Sequence, residues 1–235
     1  MREAALFAGL GTQERVRLRV LTTLFLQRKK LSGVQGLSVT PGIAVAIAAQ
    51  ACLPILNLGL DCYDDWVEIV IYPGAFRVAR EIRDESGLVS HHEQVLSGES
   101  WLQGPVILSW DDVAADLAHP SDHNVVIHEF AHKLDMLDGS ANGMPPLHAG
   151  MVRQQWAAAF SAAFYRLQQQ EDNFGHTVID AYGATNPAEF FAVVSEYFFS
   201  EPHTLLTQFP AVYAQMVLFY RQDPASRRTS PSDTH

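Results

Sequence analysis

The apolar residues of this chain change their spacing partway along, which divides it into a mixed front and a helical rear. From residue 122 onward they recur at helical intervals, through 122–137, 149–171, 187–200 and 205–221. Upstream, Trp66 to Tyr72 is β-rich and stops at Pro73-Gly74. Leu88 to Leu96 ends at Ser97-Gly98, and Val106 to Trp110 follows Gly104-Pro105. These three strands, punctuated by loop residues, predict a small mixed or antiparallel sheet. Ahead of them, Val16, Val20, Leu21, Leu24 and Leu31 mark an amphipathic helix over 13–31, closed by Ser32-Gly33 and Gly36. Thr40-Pro41 is an N-cap followed by a first-turn proline, opening an apolar helix over 41–51. With no repeat and no dividing linker, the expectation is one α+β domain over 1–224, with Ala225 to His235 as a disordered tail.

Composition removes several classes. Of 235 residues, 48% are hydrophobic and 18% charged, which excludes a disordered or low-complexity chain. A domain of this size buries enough apolar surface to do without disulfide staples. Cys52 and Cys62 are too few for a secreted disulfide framework or an all-cysteine zinc site, and read as small hydrophobes in a reducing compartment. The net charge of −10 gives no support to a nucleic-acid partner. Residues 1–30 nevertheless carry +5 against −15 in the remainder. Such a basic helix can dock on an acidic partner or on the chain's own acidic body, or simply face solvent. Met1 to Leu10 lacks the small-residue cleavage site of a signal peptide. The apolar stretch from Gly42 to Leu60 is interrupted by Gln50, Pro54 and Asn57 and has no basic flank, so a membrane span is not expected. The reading is a soluble, cytoplasmic protein.

The chemistry lies in His128-Glu129-Phe130-Ala131-His132. Histidines at i and i+4 share one helix face, their Cβ atoms about 6 Å apart, and can bind one tetrahedral Zn²⁺. Glu129 lies about 100° round the helix, within reach of a water on that ion. Lys133 departs from the uncharged residue usual in such helices. A catalytic site needs a third protein ligand with one position left for water. A metzincin would have histidine where Asp138 stands. A deformylase-type cysteine is not supported by Ala-Cys52-Leu-Pro or Asp-Cys62-Tyr-Asp. Glu189 remains, in Asn186-Pro187-Ala188-Glu189-Phe190-Phe191-Ala192. Its apolar neighbours make an unpaired carboxylate costly, although a first-turn glutamate is also favoured by the helix dipole alone. Glu196, seven residues on, lies on nearly the same face and can accept the free N–H of a ligand histidine.

His128 to Asp135 and Tyr182-Gly183-Ala184-Thr185-Asn186-Pro187-Ala188-Glu189-Phe190-Phe191-Ala192 closely resemble the Mlc titration factor A family. Leu53 to Leu60, Val70 to Pro73 and Ser195 to Phe199 are similar to it too, and the likeness runs from about residue 10 to 224. These are gluzincin-type bacterial zinc metallopeptidases, related to the catalytic domain of anthrax lethal factor. The resemblance implies a zincin-like fold whose helical C-terminal half carries the metal site. It implies His128, His132 and Glu189 as Zn²⁺ ligands, Glu129 as general base and Tyr182 as the transition-state tyrosine. It further implies hydrolysis of short peptide substrates, aminopeptidase activity included, and binding to Mlc, a glucose-responsive transcriptional repressor. A non-catalytic protein that sequesters such a repressor is the alternative.

Other features carry less. Asp138 to Gly143 opens like a calcium loop, but Ala149 stands where a bidentate glutamate is needed. His91, His92 and His176 read as surface residues, and Asp135 as a solvent-facing carboxylate rather than one orienting a ligand. Val106 to Trp110 is either an edge strand that pairs with an extended peptide or an interior strand.

Overall fold

Helix α1 (Thr12–Arg28) stops three residues short of the expected boundary. In this computed structural model, which describes residues 5–74, 76–83, 89–96, 98–100, 104–118 and 123–227, the cause is Lys29. That residue turns to extended backbone, and its buried ammonium donates to the carbonyls of Tyr63 and Trp66 while lying 4.1 Å from the Trp66 ring centroid. Burial lowers the Lys29 pKa. The chain is thereby forced into strand β1 (Lys30–Gly33), and Leu31, expected on the helix, is a strand residue.

Thr40 caps helix α2 (Pro41–Cys52) through its hydroxyl, as expected, and Pro41 fills the first turn. Strands β2 (Glu68–Tyr72), β3 (Phe76–Arg83), β4 (Val89–Leu96), β5 (Gly98–Ser100) and β6 (Val106–Ser109) follow. One sheet has the order β1-β2-β6-β5, parallel across its first three strands and antiparallel between β6 and β5. In register, Leu31 faces Ile69, and Ile69 faces Val106. Strands β3 and β4 form a separate antiparallel pair. The mixed character is as expected; the strands are more numerous. Val106–Ser109 is an interior strand, flanked by β2 and β5, so it offers no edge to a peptide.

Helix α3 (Trp110–Ala118) leads to α4 (Val125–Asp135), α5 (Arg153–Phe174), α6 (Pro187–Ser200), α7 (Pro202–Gln208) and α8 (Pro210–Tyr220). The helix expected over 205–221 is two, because Pro210 cannot donate its N–H and starts a new helix. Position 122 and Leu88, expected in a helix and a strand, lie outside the described residues. So do residues 228–235 of the expected tail. Its first residues belong to the fold: Pro224–Ser226 form a 3-10 turn, and Arg227 pairs with Glu14 at 3.0 Å.

Helix α4 is buried almost all round. Phe130 sits among the rings of Phe25, Tyr63 and Trp66 at centroid distances of 5.8, 5.1 and 5.5 Å. A second aromatic cluster, Trp156, Phe160, Phe190, Phe191 and Phe219, locks α5 and α8 onto α6. Among the described residues no helix is long and apolar enough to cross a membrane. Cys52 is buried and Cys62 partly so, both as free thiols.

Candidate metal centre

Two helices meet at the site, and each has a polar start that fixes its rotation. At α4, Asn124 accepts the N–H of Ile127 at 2.8 Å and donates to Gln50 of α2 at 2.7 Å. Asp116 of α3 accepts the Val125 N–H at 3.0 Å. At α6, the Asn186 side chain accepts from Ala188 and Glu189 at 2.9 and 3.0 Å, and Pro187 fills the first turn.

These caps bring His128, His132 and Glu189 together, with one candidate ligand atom from each within 4.8 Å of the others. His128 Nε2 lies 3.0 Å and His132 Nε2 3.2 Å from Glu189 Oε2, and the two nitrogens are 3.2 Å apart. Ligand atoms about 2.05 Å from a tetrahedral ion would stand about 3.3 Å from each other. The three edges observed therefore fit one small divalent cation. The side chains keep 11–18% exposure, so the centre is shielded yet reachable.

The expected partner of the first histidine is in place. His128 Nδ1 lies 2.7 Å from Glu196 Oε1, and Glu196 Oε2 accepts the backbone N–H of Asn124 at 2.5 Å. With the proton on Nδ1, the lone pair of Nε2 points at the centre. Burial acts to lower the His128 pKa, but the Glu196 and Glu189 carboxylates outweigh it and hold the imidazole well above its ordinary value. For Glu189, burial acts upward, and the two histidines more than reverse it, leaving the carboxyl well below the usual range.

Glu129, also on α4, is buried. Tyr182 lies in the 3-10 turn Ala181–Ala184, whose start Asp180 caps at 2.8 Å. The residue is 42% exposed, and its ring is centred 6.0 Å from that of His128, at the rim of the centre. Lys133, which departs from the uncharged residue usual at that position, donates to Gly104 O at 2.9 Å and lies over Trp66. Burial pushes its ammonium down to about 8. His176 is exposed, as expected; the side chains of His91 and His92 lie outside the described residues. Asp135 is a correction: it is fully buried rather than solvent-facing. A carboxylate at i+3 from a candidate ligand histidine, at a helix end, is the signal available for it.

Residues 1–221 match the family described as glucose-regulated metallo-peptidase M90. The chain is 44% identical over 224 residues to Mlc titration factor A of Klebsiella pneumoniae subsp. pneumoniae, covering 94% of this chain and 84% of that protein. It is 44% identical over 225 residues to the protein of the same name from Salmonella arizonae, covering 94% and 89%. With that of Salmonella paratyphi A the identity is 43% over 231 residues, covering 97% and 86%.

Proposed function

This chain belongs to the glucose-regulated metallo-peptidase M90 family, and from that premise we propose that it is a zinc-dependent peptidase. The observation that carries the reading is the convergence of His128 Nε2, His132 Nε2 and Glu189 Oε2 from two helices. These three side chains would hold the ion. A bound Zn²⁺ supplies Lewis acidity, polarising a carbonyl and bringing the pKa of its water to about 7.

The remaining work falls to the chain's own groups. Glu129, next to His128 on α4, takes a proton from the attacking water and returns it to the leaving amine. Tyr182, at the rim, donates its hydroxyl hydrogen to the oxygen that gains charge, and electrostatic stabilisation of that kind is usually the largest contribution. Glu196 keeps His128 in the tautomer that presents Nε2. Among the described residues β5, rather than β6, stands at the end of the sheet, and its main-chain groups are the ones we propose for pairing with an extended peptide. Short peptides, cleaved from the amino end, are the substrates we infer.

Replacing Glu129 by Gln removes the base but none of the three proposed ligands. The expected result is loss of peptide hydrolysis by at least about a hundredfold, with metal content unchanged by elemental analysis. Turnover at the wild-type rate would eliminate this mechanism.

A second reading rests on the relatives' name, Mlc titration factor A. We propose that the chain also binds a repressor of the Mlc type in the cytoplasm. Capture of that repressor by the Glu129→Gln protein as well as by wild type is expected. Failure of both forms to retain it ends this reading without touching the first. The single domain we propose takes in residues 225–227 as well, because Arg227 pairs with Glu14 of α1.

A further inference from the structure

Asp135 ends α4, one turn beyond His132. Its Oδ2 accepts the backbone N–H groups of Asn142 at 2.8 Å and Gly143 at 2.7 Å. Gly143 has φ +77°, and a Cβ there would stand 2.4 Å from the carbonyl oxygen of Pro187. The loop thus lies directly against the first residue of α6, two positions before Glu189. Trp156 pins it from the other side, its indole N–H donating to Gly143 O at 3.0 Å.

The other half of the carboxylate has no such duty. Oδ1 of Asp135 is buried with no hydrogen-bond partner among the described residues, and so is Nδ1 of His132. Burial pushes the Asp135 carboxyl up overall, against the opposing pull of the Gly143 and Asn142 N–H groups and, after them, of His132. One atom is an acceptor and the other is a donor when His132 presents Nε2 to the centre. Leaving both unmatched in a buried site would cost free energy that one contact removes.

We propose that Asp135 is a positioning residue for the metal centre, taking the Nδ1 proton of His132 on Oδ1 through one water, while Oδ2 holds residues 142–143 against the start of α6. One carboxylate then fixes the tautomer of the second ligand and the seat of the helix that carries the third. It mirrors Glu196, which ties His128 to the opposite end of α4. An amide is no substitute. Its single oxygen can serve one set of donors, and its NH₂ faces the other. The inference rests on the metal reading above.

The test uses the whole chain, wild type and Asp135→Asn, with Zn²⁺ and Co²⁺ as probes. Zn²⁺ affinity is read by competition with a chromophoric chelator, the centre's geometry by the visible Co²⁺ spectrum, and the imidazole tautomer by long-range ¹H–¹⁵N correlation. For Zn²⁺-loaded wild type, a protonated, slowly exchanging His132 Nδ1 is expected. For a folded Asp135→Asn protein, Zn²⁺ affinity should fall by about tenfold to a hundredfold and the Co²⁺ spectrum should change. Affinity within twofold of wild type with an identical spectrum overturns the proposal. If Asp135→Asn does not fold, the wild-type tautomer decides: Nδ1 without a proton overturns it equally. Wild type that takes up neither ion removes the metal reading and this inference together. Normal wild-type uptake with an unaffected variant removes the inference alone.

Discussion

Two imidazole nitrogens 3.2 Å apart, each within 3.2 Å of the same carboxylate oxygen, need a positive centre between them, either a proton or a metal ion. Glu189 is the anionic member, and its histidines already favour its charged form. Removing it leaves two neutral donors and no charge to offset the cation. Glu189→Ala is therefore expected to lose more Zn²⁺ affinity than Glu196→Gln, whose loss should be about tenfold to a hundredfold, as for other outer partners of ligand histidines. Elemental analysis after dialysis, together with chelator competition, measures both. Equal retention of zinc by wild type and Glu189→Ala would remove Glu189 from the ligand set. At this scale much was legible beforehand. His128, Glu129 and His132 are spaced by the helix itself, and Asn186-Pro187 announces the cap that aims Glu189. Asp135 was not legible as buried, since its burial depends on the 142–143 loop folding back, a contact that periodicity does not register.

Elements were read best where local chemistry and tertiary packing agree. Thr40-Pro41 and Asn186-Pro187 each start a helix as their side chains dictate. They were read worst where one buried contact overrides the local pattern. Leu31 fits a helical stripe, yet Lys29 turns inward to Tyr63 and Trp66 and ends α1, so β1 was missed. Val106–Ser109 is a strand as expected, but edge or interior is decided by its neighbours, not by its own residues. The same logic yields a prediction for α6. Asn186 satisfies two N–H groups at the helix start, one of them that of Glu189 itself. Asn186→Ala should cost about 1 kcal/mol of stability by denaturant titration and weaken metal retention in parallel. Asn186→Asp, which keeps an acceptor oxygen there, should restore both. A stability loss with unchanged metal affinity would mean that Glu189 is held by the core packing of Phe190 and Phe191 alone.

Across the molecule, the basic segment at the front meets the acidic body through Arg28 with Asp64 at 3.4 Å and Lys30 with Glu68 at 3.0 Å. These exposed pairs contribute little, about 0–1 kcal/mol each, so what joins the front to the candidate metal centre is packing and the buried Gln50–Asn124 contact between α2 and α4 at 2.7 Å. Cys52, the last residue of α2, reports on that union. It is wholly inaccessible, and burial pushes its thiol up to about 12. A thiol reagent at pH 8 can then reach it only through an opening of the fold, at a rate set by the free energy of that opening. If the opening includes α4, an ion bound by His128 and His132 must first be released. Zn²⁺ at a hundred times its dissociation constant adds about 2.7 kcal/mol to the opening, so labelling of Cys52 should slow about a hundredfold. Cys62, partly exposed within the 3-10 turn Leu60–Tyr63, is the internal control and should slow far less. Labelling of Cys52 at the same rate with and without Zn²⁺ would show that α1 and α2 open apart from the metal helix, and that the front of the molecule is a separate cooperative unit.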